Sequence, residues 1–131
     1  MILLDTCVII WNALDPHRLS KPAKKAIERA NQADDIYFCD ISLWEIAMLI
    51  KKGRLDPGTD YKTFVDLLFQ ANQFQLVGID AEIAYASVNL PPAINQDPAD
   101  RILAATSIIK KAPLVTGDKN LRDADGLEII W

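Results

Sequence analysis

Four acidic residues of this 131-residue chain fall where carboxylate chemistry could be built: Asp5, Glu45, Asp100 and Asp118. The segment Asp97-Pro98-Ala99-Asp100-Arg101 opens a run that is apolar from Ile102 to Ile109 except at Thr106 and Ser107. Asp97 can cap a helix there and Pro98 fits its first turn. Asp100, three residues past the cap, then lies near the positive end of the helix dipole and near the interior. Asp5 ends the apolar run Met1–Leu4, and Asp118 follows Leu114-Val115-Thr116-Gly117. Glu45 is the lone charge between Ile41 and Ile50. Each acid also has an ordinary structural use. Asp5 could cap a helix, Ser42 and Glu45 have capping-box spacing, and Asp118 could be a turn aspartate. Brought within a few ångströms, however, carboxylates repel one another and either take up protons or bind a cation. Oxygen-only ligands suit Mg²⁺ or Mn²⁺, which can activate water, orient a phosphodiester and stabilise charge on its leaving oxygen.

Competing chemistries find little support. The single histidine, His17, leaves neither a nucleophile–histidine arrangement nor a zinc-ligand set, and the five glycines are too scattered for a phosphate-binding loop. Cys7 and Cys39, inside apolar runs, read as small buried hydrophobes without a disulfide. A net charge of −4 argues against a broad basic surface for nucleic acid, yet four clustered acids could account for a deficit of that size. Arg54, Arg101 and Lys119 read as solvated surface more readily than as contacts to RNA phosphate or to a partner's carboxylates. Trp11 and Trp44, at helical apolar positions, read as core. No apolar run is long enough to cross a bilayer, and no basic segment precedes the first apolar run, so a cytoplasmic location without membrane attachment is expected.

The elements that must hold these acids follow from periodicity and punctuation. Strands are expected at residues 1–4, 36–39, 74–79, 114–116 and 127–130. Helices are expected over 6–13, from Ser20, over 42–52, around 61–69, from Asp80 to Val88 and from Asp97 to Lys111, with one helical turn at 119–121. Gly53 reads as a helix end, Asp56-Pro57-Gly58 as a turn and Leu90-Pro91-Pro92 as a stop. The helix at Glu45, apolar nearly all round, reads as buried. Strands alternating with helices predict one α/β domain over residues 1–131, a three-layer α/β/α arrangement around a mostly parallel central sheet. The carboxyl ends of its strands would line one edge, bringing Asp5, Glu45 and Asp118 together. Asp100, preceded by a loop, cannot be placed that way.

At this point the chain resembles the PIN-domain ribonucleases, in particular VapC-type toxins of bacterial toxin–antitoxin pairs. The resemblance rests on Leu3-Leu4-Asp5-Thr6, Ser42-Leu43-Trp44-Glu45-Ile46, Gly53-Arg54-Leu55, Leu90-Pro91, Asp97-Pro98-Ala99-Asp100-Arg101, Leu114-Val115-Thr116-Gly117-Asp118 and Ile130-Trp131. It implies an acidic pocket for Mg²⁺ or Mn²⁺ made by Asp5, Glu45, Asp100 and Asp118, supported by Thr6 and Thr116 through hydrogen bonds and hydrolysing RNA. It also implies a homodimer held inactive by a cognate VapB-like antitoxin. Asn95 and Gln96 stand where many such proteins carry histidine and arginine, and Ala99 where phenylalanine is common, which bears on substrate contacts more than on catalysis. Two other readings are a Mg²⁺-binding receiver-type signalling domain, which needs paired acids after its first strand, and a PIN-fold binding module without catalysis.

Overall fold

Ile2–Leu4 (β1) is buried along its whole length and takes the middle of a five-stranded sheet. The computed structural model, which describes all 131 residues, adds Ile36–Cys39 (β2), Phe74–Val77 (β3), Leu114–Val115 (β4) and Ile129–Ile130 (β5). All pairs are parallel and the order is β3-β2-β1-β4-β5. Such pairing needs long crossovers. They are supplied by helices Thr6–Leu14 (α1), Lys21–Gln32 (α2), Ile41–Lys51 (α3), Tyr61–Ala71 (α4), Ala81–Val88 (α5), Pro98–Lys110 (α6) and Lys119–Arg122 (α7). The chain builds outward from β1 to β3, then returns to lay β4 and β5 on the other side of β1. The strand order therefore reverses between β1 and β4, where open α/β sheets place their ligands. A receiver-type domain runs its strands 2-1-3-4-5, so this order sets that reading aside.

Alternation along the strands builds the outer two layers. Ile2 and Leu4 pack with Val8, Ile9, Ala23, Ile27, Phe64 and Leu68 of α1, α2 and α4. Leu3 and Leu114 point the other way, onto Leu103 and Ala104 of α6, Ile94 and Leu121. The run 114–115 alternates in the same sense, with Val115 on the first face. Helix starts follow the sequence closely. Ser20, Asp60, Asp80 and Asp97 each accept a backbone N–H with their side chains at the head of a helix. Gly53, at φ +69°, lies two residues past the end of α3, after Lys52, in the left-handed conformation that glycine tolerates best.

Several expectations fail for tertiary reasons. The strand beginning at Phe74 stops at Val77, because the Ile79 N–H turns to the Asp40 carboxylate. The last strand is confined to two residues. The third helix starts at Ile41, with no side-chain cap, so Ser42 lies inside it. That helix is not buried all round: only Ser42 and Ile46 are fully enclosed, and Trp44 is 57% exposed. Cys39 is buried, but Cys7 is exposed on the first turn of α1; both thiols are free.

Arg101 is the largest departure. It is buried at 9% exposure instead of solvated. Its Nε donates to the Ser87 carbonyl at 2.9 Å, Nη1 to that of Ile94 at 3.2 Å and Nη2 to that of Leu90 at 2.7 Å. The last carbonyls of a helix have no partners within it, and a cation is favoured beside them. Arg101 meets that need at the end of α5 and ties residues 87–94 to α6.

Gly117 lies under the C-terminal indole. A Cβ built there would stand 2.8 to 3.1 Å from three ring atoms of Trp131, closer than packed carbon atoms allow. Gly117→Ala should therefore lower stability by about 1–3 kcal/mol, read by urea denaturation, and Trp131→Leu in the same chain should recover part of the loss.

Candidate functional site

Asp5 is the first residue beyond β1, and its N–H still bonds the Val115 carbonyl across the ladder at 3.0 Å. It occupies the cap position of α1 with extended backbone, yet its side chain does not cap. Instead the carboxylate, 6% exposed, accepts the hydroxyl proton of Thr116 at 2.6 Å. The same Thr116 oxygen accepts the Asp118 N–H at 3.1 Å, so one hydroxyl at the end of β4 holds both acidic turns. Asp118 in turn caps α7, accepting the Asn120 N–H at 2.9 Å.

Glu45 enters from α3. Its Oε1 accepts the Thr6 hydroxyl at 2.5 Å, and the Thr6 oxygen lies 2.8 Å from the Ser42 hydroxyl. Since the single Thr6 proton goes to Glu45, Ser42 donates to Thr6. The capping-box reading of Ser42 and Glu45 is therefore overturned. Both side chains reach across to the first turn of α1, because Ser42 is inside the helix and buried.

Asp100 is brought in by the loop that topology could not place. Asp97 caps α6 as expected, its Oδ1 accepting the N–H groups of Ala99 at 2.9 Å and Asp100 at 3.1 Å. Asp100 sits half-buried in that first turn, and Asn95 donates to its Oδ2 at 2.7 Å.

Three of the acids feel both burial and the charge of their neighbours. The Asp100 carboxyl is pushed up to about 7, first by burial and then by Asp5, Asp97, Asp118 and Glu45. Asp5 is raised chiefly by burial, against the lowering pull of the Thr116 hydroxyl, with Asp118 adding repulsion. Burial also raises Glu45, opposed by its bond from Thr6, while Asp5 and Asp97 push it further. The Cys7 thiol, although the residue keeps an exposed surface, is pushed up to about 12 by desolvation at its sulfur and by the field of all four acids, which disfavours the thiolate. No lysine or arginine neutralises any of them; the one salt bridge in the chain joins the Met1 ammonium to Asp35.

An oxygen-only, uncompensated anionic set matches the demands of a hard divalent cation. As the side chains stand, no three histidine, cysteine, aspartate or glutamate groups close around an ion. Each acid is turned onto a neutral donor instead. Lys119 and Arg54 are exposed, and Arg54 borders a groove shared with Cys7, Trp11 and Arg18, whose guanidinium lies 4.4 Å over the Trp11 ring. Sequence reasoning named Ser42, Asn95, Arg101 and Trp131 but missed the contacts they make here. Only Asn95 left a local signal, since its Oδ1 accepts the Asp97 N–H two residues on, a common Asx turn.

Comparison with known proteins adds three findings. The sequence profile described as PIN domain matches residues 2–127. Ribonuclease VapC22 of Mycobacterium tuberculosis is 36% identical over 121 residues, 92% of this chain and 89% of that one. The VapBC2 structure from Rickettsia felis, solved on a DNA fragment from its promoter, superposes with a TM-score of 0.74 at 16% identity, over 98% of this chain and 97% of that chain. FitAcB from Neisseria gonorrhoeae gives 0.69 at 22%, over 98% and 96%.

The raised acids set the sign of the pH dependence. A carboxyl whose folded pKa lies above its unfolded value contributes stability that is complete below the unfolded pKa and lost as pH rises through the folded one. For Asp100 that window runs from 3.8 to about 7. In chelator, the melting temperature should fall as pH is raised through this window, and Mn²⁺ should restore it at pH 8. Asp100→Asn should flatten the profile and raise the pH 8 melting temperature by about 2–5 °C, on the order of 1 kcal/mol, by differential scanning calorimetry.

Proposed function

This chain belongs to the PIN-domain family, and from that premise we propose that it is a metal-dependent endoribonuclease, a VapC-type toxin acting as one domain over residues 1–131. The observation that carries the reading is the meeting of Asp5, Glu45, Asp100 and Asp118 at the strand-order reversal without a positive side chain among them. These four would hold Mg²⁺ or Mn²⁺. When bound, such an ion activates water and stabilises the charge that grows on the leaving oxygen of a phosphodiester.

The remaining work falls to the chain's own residues. Thr116 keeps Asp5 and the Asp118 turn in register across β1 and β4. Thr6, fixed by Ser42, aims Glu45 at the same crevice. Hydroxyl and amide donors orient the acids and leave their negative charge intact, which ligation requires. The cap by Asp97 fixes the Asp100 backbone, and the buried β1 and β4 ends give the cluster a floor that cannot shift.

RNA as substrate follows from the ribonuclease relative. A VapB-like antitoxin as partner is supported by the toxin–antitoxin assemblies that share this fold. A homodimer is supported by large apolar side chains left on the surface, with Tyr85 72% and Val88 75% exposed. Two free cysteines suit a reducing cytoplasm, and no helix is long and apolar enough to cross a membrane.

Purified without antitoxin, the protein should cleave RNA in Mg²⁺ or Mn²⁺ and stop on chelation. Asp5→Asn and Asp100→Asn should each lower the rate at least about 100-fold in a fluorogenic RNA assay. Undiminished cleavage by both variants would overturn the reading.

A further inference from the structure

Asn95 is the one neutral side chain that holds Asp100, and we propose that it is a positioning residue whose task is to set cation affinity, not to touch RNA. The inference rests on the reading of the four acids as a cation site. Both ends of the Asn95 amide are engaged. Nδ2 donates to Asp100 Oδ2 at 2.7 Å, and Oδ1 accepts the Asp97 N–H at 3.1 Å. Turning the amide over would set its oxygen against a carboxylate and its NH₂ against a backbone N–H, so its sense is fixed. Asp97 then holds the Asp100 N–H, which closes a circuit of three residues around the start of α6.

The circuit is anchored from below by Arg101. Its Nη1 holds the carbonyl of Ile94, the residue before Asn95, and the Ile94 side chain is buried at 2% exposure. Asn95 and Asp100 are thus both referred to one helix, the first through the neighbour of Asp100 and the second directly. Choice of an amide matters. A lysine or arginine here would orient Asp100 equally well but cancel the charge a cation needs, whereas an amide leaves it in place.

The test uses the intact chain. Mn²⁺ binding is measured by isothermal titration calorimetry, and kcat and KM by cleavage of one RNA, for wild type, Asn95→Ala and Asn95→His. Asn95→Ala should bind Mn²⁺ about 10-fold more weakly and lose kcat at limiting Mn²⁺, with KM for RNA unchanged. Asn95→His, which returns an N–H donor, should recover affinity. The urea midpoint in chelator should be the same for all three, because the Asn95 side chain is only half-buried. Wild-type Mn²⁺ affinity in Asn95→Ala, or a rise in KM alone, would refute the positioning role while leaving the nuclease reading intact. A wild-type chain that binds no Mn²⁺ would remove that reading, and this inference with it.

Discussion

Repulsion among four buried or half-buried carboxylates is the constraint around which this molecule is arranged. Burial and mutual proximity together lift Asp100 to about 7 and raise Asp5 and Glu45. Ordinarily a protein relieves such a cluster with a lysine or arginine, or keeps the acids apart. Here neither happens. Each acid meets a neutral donor: the Thr116 hydroxyl, the Thr6 hydroxyl, the Asn95 amide or the Asn120 N–H. These donors fix direction without removing charge, so the crevice remains strongly negative.

The sheet explains how the cluster stays rigid under that stress. β1 and β4 are the two strands on either side of the reversal of strand order, and their side chains are buried on both faces. Asp5 and Thr116 are the next residues along those strands, so the hydrogen bond between them extends a ladder that is already in register. Glu45 and Asp100 come from helices and need other means. For Glu45 the means is the Ser42–Thr6 hydroxyl pair, which crosses from α3 to α1. For Asp100 it is the loop between α5 and α6.

Arg101 shows the same economy of charge. It follows Asp100 in sequence, and a guanidinium turned toward the acids would neutralise them. The geometry of α6 sends it away instead, to three carbonyls at the end of α5 and in the loop beyond. The cation satisfies backbone that would otherwise be stranded, and it fixes the loop carrying Asn95 and Asp97. Its positive charge is used structurally and stays out of the crevice.

What was readable in advance was local. Caps act over two or three residues, and strands declare themselves by apolar runs. Hence Ser20, Asp80 and Asp97 could be placed as helix starts, Gly53 as a helix end and the sheet as parallel from the order of elements alone. The family resemblance, carried by short motifs in order, pointed to the fold that the chain adopts. Side-chain direction was not readable, because it depends on partners distant in sequence. Thr116 reaches Asp5 across 111 positions and Thr6 reaches Glu45 across 39. Ser42 therefore looked like a cap, Trp44 like core and Arg101 like surface, each from correct local spacing. Tertiary packing reversed all three, since only the assembled helices decide which face of a residue meets another chain segment and which meets water.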